Sequence, residues 1–248
     1  MKETDEKSDP RFYNRCLEDN YPRNMWWVAA LCEEITTKPL TRWLLELTIV
    51  LYRTEDGTPV ALDDRCPHRW APLSQGRVEG DQIICPYHGM KFGTDGVCTH
   101  IPTQDNIPRT ACVNSYPLRE SGAFVWIWMG DSAEIDNHEP PVDMSYTANP
   151  DWSVIHGYYE VEANWILIRE NVLDLTHIAH LHSDTFKQDD WNSAPAVTID
   201  GDVVMYEQEF DLAPLTPLFC HAMGLSETKP VVWPQQQHQF SDVAGKIR

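Results

Sequence analysis

Cys66-Pro67-His68 and Cys85-Pro86-Tyr87-His88 are the residues best equipped for chemistry in this 248-residue chain. They form two half-sites, Cys-x-His and Cys-x-x-His, separated by residues 69–84. Two thiolates and two imidazoles suit either one tetrahedral zinc or a two-iron cluster in which one iron takes both sulfurs and the other both nitrogens. Spacing favours the cluster. Zinc fingers usually collect cysteines in one half-site and histidines in the other. Here each loop supplies one of each, as two loops gripping both irons from opposite sides require. The flanking Arg69-Trp70-Ala71-Pro72-Leu73-Ser74 and Gly89 imply tight loops that press backbone N–H groups toward the sulfurs, with Tyr87 as a further donor. Imidazole ligation also lets reduction couple to protonation, which suits a one-electron relay. A structural zinc ribbon, or four unrelated core residues, is the plainer alternative.

A second constellation lies in residues 164–182, which carry few helix breakers: Asn171, Asp174, His177, His180 and His182. A histidine-rich helix is more often surface or core than a metal site. At about 100 degrees per residue, regular helix sets His177 and His182 roughly 140 degrees apart, and His177 and His180 roughly 60 degrees apart. His180 is therefore the easier partner on geometry. His177 and His182 can share a metal only where the helix ends or carries a π-type turn between them. Asp174 lies one turn before His177, where its carboxylate can fix the ring's tautomer. Asn171, a turn earlier, either lines a pocket or caps backbone.

The elements that must hold these groups differ along the chain. Residues 26–128 read as short strands punctuated by turns, with 43–52 as one apolar β-rich run, Glu55-Asp56-Gly57-Thr58 as a turn and 60–62 resuming. The β-prone Ala123-Phe124-Val125-Trp126-Ile127-Trp128 closes this region before an acidic, proline-containing stretch. We expect an N-terminal extension at 1–21, an all-β domain at 22–135, a linker at 136–152 and a second domain at 153–248, giving an α+β chain. In the second domain 152–161 reads as a strand, and 197–210 as a hairpin turning at Asp200-Gly201. Gln235-Gln236-Gln237 is too short to carry meaning.

Composition narrows the partners. With 42% hydrophobic residues the chain can bury one large core or two modest ones. Lys plus Arg number 19 against 38 for Asp plus Glu, a net charge of -19, which repels nucleic acid and anionic membranes alike. Residues 1–20 lack the apolar core of a signal peptide, and no stretch is apolar enough for a membrane span, so a cytoplasmic location is expected. In that reducing compartment five of the seven cysteines, Cys16, Cys32, Cys98, Cys112 and Cys220, are expected to be plain thiols.

The two half-sites resemble the Rieske signature. Asn171-x-x-Asp174-x-x-His177, followed by four residues and His182, is similar to the mononuclear iron motif of Rieske non-haem iron oxygenases, particularly the vanillate demethylase and dicamba monooxygenase group. The likeness runs from Tyr21-Pro22-Arg23-Asn24-Met25-Trp26-Trp27-Val28-Ala29 through both motifs to residues 211–225. It implies a Rieske 2Fe-2S domain on Cys66, His68, Cys85 and His88, then a partial helix-grip (START/Bet v1-like) catalytic domain. There His177 and His182, rather than His180, would be two ligands of a 2-His-1-carboxylate Fe(II). Asp174 would bridge that iron to a Rieske histidine of a neighbouring subunit in a head-to-tail homotrimer.

The same resemblance implies a reductase or ferredoxin that passes on NAD(P)H electrons singly, O2 as co-substrate, and hydroxylation or O-demethylation of an aromatic or similar apolar small molecule. Trp165, Leu167 and Phe186 either line its pocket or form core. One departure stands out. The family's third iron ligand is an aspartate much further along, and none of Asp184, Asp189, Asp190, Asp200, Asp202, Asp211 or Asp242 occupies its place. On this reading the catalytic domain is truncated at its C-terminus, and the competing expectation is a non-catalytic Rieske electron carrier.

Overall fold

The computed structural model describes residues 21–152, 154–155, 157–182, 196–200, 203–209, 220–221, 224–225 and 236–242. The expected N-terminal extension, apart from Tyr21, lies outside them, as do Asp184, Phe186, Asp189, Asp190, Asp202 and Asp211. The chain divides after Ile155 into two compact units.

The first unit is built from ten strands: β1 (Met25–Leu31), β2 (Leu40–Leu44), β3 (Leu47–Arg53), β4 (Pro59–Asp63), β5 (Arg77–Glu79), β6 (Gln82–Ile84), β7 (Lys91–Phe92), β8 (Cys98–His100), β9 (Leu118–Ser121) and β10 (Phe124–Met129). They form antiparallel sheets ordered β1-β10-β9, β2-β3-β4 and β5-β6-β7-β8. Successive strand residues face opposite ways, and β3 uses both faces. Val50 and Tyr52 enter one buried cluster with Cys66, Ile83, Cys85 and Phe92, whereas Ile49 and Leu51 enter another with Ala30, Val125 and Ile127. A strand buried on both sides must be apolar throughout, which is why this stretch reads as a continuous hydrophobic run.

The apolar, β-rich run expected over 43–52 spans the end of β2 and most of β3. It turns at Leu45 and Glu46, whose φ values of 45° and 65° make the tight two-residue hairpin joining Leu44 to Leu47. The turn lacks the Asn-Gly or Gly-rich signal that usually marks such a conformation. Residues 142–147, expected within a linker, are held against the turn between β9 and β10. The Met144 N–H donates to Ser121 Oγ at 2.7 Å, and the Ala123 N–H donates to Thr147 Oγ1 at 2.8 Å.

The second unit combines helices with a three-stranded antiparallel sheet, so the chain is α+β as expected. Helix α1 (Trp165–Leu173) starts at Asn164, whose side chain accepts the Ile166 N–H at 3.0 Å. The expected continuous helix to His182 is broken. It stops at Asp174, passes through a 3-10 turn (Leu175–His177), and resumes as a short α2 (Ile178–Leu181). Strands β11 (Ala196–Asp200) and β12 (Val203–Glu209) form the expected hairpin, with Asp200 opposite Val203, so the connection lies one residue later than anticipated. Strand β13 (Gln236–Asp242) pairs with β12 and was not anticipated, because its glutamines offer no apolar pattern while backbone pairing needs none. The strand expected over 152–161 is absent among the described residues, where no partner strand lies beside it and Tyr158 and Tyr159 are exposed.

Two acids at the end of β4 brace the site described next. Buried Asp64 accepts the Ser74 N–H and Oγ–H, each at 2.6 Å, and the Thr41 hydroxyl at 2.9 Å. Asp63 accepts the Tyr116 hydroxyl at 2.6 Å and the Asn114 side-chain amide at 2.9 Å. Asp64→Ala is expected to lower unfolding free energy by about 2 kcal/mol, measured by urea denaturation, because three part-buried hydrogen bonds lose their acceptor.

Candidate metal centre

Both half-sites fold into the same loop. The Cys66 N–H donates to the Ala71 carbonyl and the Trp70 N–H returns to the Cys66 carbonyl, at 2.9 and 2.8 Å. The Cys85 N–H donates to the Met90 carbonyl and the Gly89 N–H returns to the Cys85 carbonyl, at 2.8 and 3.0 Å. Each loop needs a left-handed residue four positions after its cysteine: Trp70 at φ 59° and Gly89 at φ 72°. Glycine meets that demand without strain. At Trp70 the geometry is accompanied by the Arg65 guanidinium, 4.2 Å over the indole.

This duplication sorts the four candidate ligands by chemistry. Cys66 and Cys85 are 1% and 2% exposed, packed in the apolar cluster of β3, β6 and β7. His68 and His88 lie at the surface with ring centroids 4.7 Å apart. Burial pushes the Cys66 thiol up to about 11; the backbone N–H groups of His68 and Arg69 oppose the rise and the adjacent Cys85 adds to it. Bare thiolate is thus disfavoured in this core, while N–H donors are already aimed at the sulfur that bound iron would ionise. Among the described residues, no three of His, Cys, Asp and Glu converge on a single point. Two thiols inside and two imidazoles outside fit a two-iron cluster, with two protein ligands per iron, better than a four-ligand zinc. Tyr87, expected to donate toward a sulfur, instead stacks its ring on His88 with centroids 4.0 Å apart.

The second constellation is rearranged by the helix break. His177 and His182 come together with ring centroids 5.3 Å apart, although regular helix would separate them. His180 is exposed and makes no ring contact with His177 among the described residues. The tautomer of His177 is fixed by Asp174, but through the main chain rather than the expected carboxylate: His177 Nδ1–H donates to the Asp174 carbonyl, leaving Nε2 as the free lone pair. The Asp174 carboxylate accepts from the Thr176 hydroxyl and from its N–H at 3.0 Å, and these bonds hold its pKa below the usual aspartate value. Asn171 is exposed on the last turn of α1. Two imidazoles suit a mononuclear iron, and no third protein ligand joins them among the described residues.

Residues 25–117 match the Rieske [2Fe-2S] domain, and residues 161–240 match the vanillate O-demethylase oxygenase C-terminal domain. The iron-sulfur subunit of the toluene-4-sulfonate monooxygenase system of Comamonas testosteroni is 46% identical over 168 residues, covering 67% of this chain and 48% of its own. The dicamba O-demethylase oxygenase component of Stenotrophomonas maltophilia is 39% identical over 183 residues, covering 73% and 54%. A crystal structure of dicamba monooxygenase bound to dicamba superposes with a TM-score of 0.73 at 30% identity, covering 89% of this chain and 72% of that one.

The chain belongs to the Rieske oxygenase family. This Rieske oxygenase chain spans about half the length of the curated relatives just named. No described helix is long and apolar enough to cross a membrane. The sequence reading missed Asp63 and Asp64 as braces, since adjacent acids ordinarily signal a solvated turn, and it missed the Asp174 carbonyl, since main-chain groups carry no sequence signal.

A third loop, 100–111, closes over the imidazole side. Pro102 lies 3.3 Å from where a Gly89 side chain would begin, and a cavity of about 370 Å³ is lined by His68, His88, Ile101, Pro102 and Pro108. Gly89→Ala is expected to cost about 1–2 kcal/mol, from its left-handed φ and the Pro102 contact. The check is faster loss of visible absorption in mild urea, with Thr103→Ala, on the same third loop, as a near-neutral control.

Proposed function

We propose that this chain relays electrons as part of a Rieske oxygenase component. They pass from an NAD(P)H-dependent reductase or ferredoxin, through a 2Fe-2S cluster on Cys66, Cys85, His68 and His88, to a non-haem iron on His177 and His182. The product would be an O2-dependent hydroxylation or O-demethylation of an apolar, aromatic-type small molecule. The observation that carries this reading is the matched pair of loops that buries two cysteines and leaves their two histidines side by side at the surface.

When bound, the cluster stores one electron at a time and the mononuclear iron supplies O2 reduction. The chain's own residues set the conditions for both. The apolar packing around Cys66 and Cys85 keeps water from the sulfur side, and the His68 and Arg69 N–H groups stabilise the negative charge that reduction adds. The exposed rings of His68 and His88 give electrons a route to the surface. At the second site the Asp174 carbonyl holds the His177 proton on Nδ1, so Nε2 remains available as a donor. Thr176 holds the Asp174 carboxylate ionised at the surface, where it is the candidate bridge to a neighbouring subunit's Rieske histidine in a head-to-tail trimer. Asn171, one helical turn away, is the candidate pocket residue beside it. For an aryl methyl ether the net reaction consumes O2, two electrons and two protons, and yields a phenol, formaldehyde and water.

His68→Ala is expected to abolish the visible absorption of the cluster; an unchanged spectrum would remove His68 from the ligand set. His182→Ala is expected to leave that spectrum intact while iron falls from three to two per chain by elemental analysis. Loss of the third iron in His180→Ala, and not in His182→Ala, would reverse the choice of second ligand.

A further inference from the structure

The cavity beside His68 and His88 belongs to the candidate metal centre, but a second cavity, of about 230 Å³, touches neither imidazole. Its apolar walls include Leu47, Pro67 and Val113, and its polar lining includes Arg65, Thr48 and Thr110. That volume falls below the roughly 300–1,000 Å³ of sites that hold drug-sized ligands, which limits an occupant to about one ring. Apolar walls with a few polar groups among them are the usual composition of a small-molecule site.

Arg65 gives the cavity its chemical preference. Arg42, Arg53 and Arg77 each pair with a glutamate, whereas Arg65 forms no ion pair with a carboxylate among the described residues. It is half-buried, so its donors have given up part of their water without gaining an anion in return. The exposed Trp70 indole lies 4.2 Å beneath the guanidinium and restrains the plane of its N–H fork. Such a fork matches the two oxygens of a carboxylate. Asp63 also lines the cavity, where its carboxylate accepts from Tyr116 and Asn114. The charge of Asp63 selects against a multiply charged anion such as phosphate and leaves room for a monoanion that meets Arg65.

We infer that this cavity binds a single-ring, apolar monocarboxylate, with its carboxylate on Arg65 and its ring against Leu47, Pro67 and Val113. The inference goes beyond the proposed electron relay and does not depend on it, since none of Cys66, His68, Cys85 and His88 lines this cavity. Arg65 and Pro67 do flank Cys66 in the chain, so an occupant restrains the residues on both sides of that buried thiol.

The test is isothermal titration calorimetry of the purified full chain with benzoate, with benzyl alcohol as the neutral analogue and inorganic phosphate as the multiply charged anion. Benzoate is expected to bind about tenfold more tightly than benzyl alcohol, and phosphate not measurably. Arg65→Gln should remove the preference for benzoate. Thr110→Phe, which fills the cavity from an exposed position, should weaken both aromatic ligands by a similar factor. Far-UV circular dichroism should show both variants folded, and benzoate should raise the thermal midpoint of the wild type but not of Arg65→Gln. Benzoate that binds no better than benzyl alcohol, that binds equally well to folded Arg65→Gln or Thr110→Phe, or that fails to bind at millimolar concentration would overturn the site. A colourless protein that still binds benzoate through Arg65 would overturn the electron-relay reading alone.

Discussion

Burying two cysteines against each other while keeping their two histidines at the surface is the constraint on which the first unit depends. A carbon core accepts thiols readily but gives no help to thiolates, as the raised pKa of Cys66 records. The chain turns each loop back on its own cysteine, and at Cys66 the backbone N–H groups of His68 and Arg69 face the sulfur. It secures those loops globally by attaching one after β4 and the other after β6, strands that share one apolar cluster. The sheets are arranged around that need. β3 is buried on both faces, so the cluster-side core and the β1-β10 core share one central strand, and loosening either would be felt at both loops.

The two loops solve one geometric problem with different residues. Gly89 accepts a left-handed backbone freely, while Trp70 does so with a bulky side chain left exposed. Strain kept at a site usually accompanies something that the unstrained residue could not do. Here the tryptophan presents an aromatic face and an arginine beside the exposed imidazoles. Histidines toward solvent and cysteines toward the core also give the site a direction, since a partner can meet the imidazole side without opening the apolar side. The second unit uses a different device. Ending α1 at Asp174 frees a carbonyl that would otherwise belong to the helix ladder, and that carbonyl accepts the Nδ1–H of His177. The break that brings His182 beside His177 therefore also sets the tautomer of the ring.

The half-sites were legible because metal ligands must sit at fixed short spacings, and the flanking Pro and Gly residues advertise tight loops. The β10 strand and the turn at Glu55-Asp56-Gly57-Thr58 were legible for similarly local reasons. The hairpin at Leu45 and Glu46 was not, because tertiary burial of Leu45 and β3 overrides turn propensity there. Asp64 was invisible because its three donors come from positions 41 and 74, distant in sequence. The pairing of His177 with His182 was suggested only by family pattern, since helical periodicity argued for His180, and the two rings meet because the helix breaks at Asp174. β13 escaped notice because its strand is defined by pairing with β12 and not by any pattern of its own.

The central claim is that two imidazoles and two thiolates share one two-iron cluster. Pulsed EPR of the dithionite-reduced protein, prepared with natural-abundance and with 15N-labelled histidine, tests it most directly. The account predicts couplings from two histidine nitrogens to the paramagnetic cluster, both converting to 15N couplings on labelling. A reduced cluster with no histidine nitrogen coupling would contradict it, as would an EPR-silent protein containing zinc in place of iron.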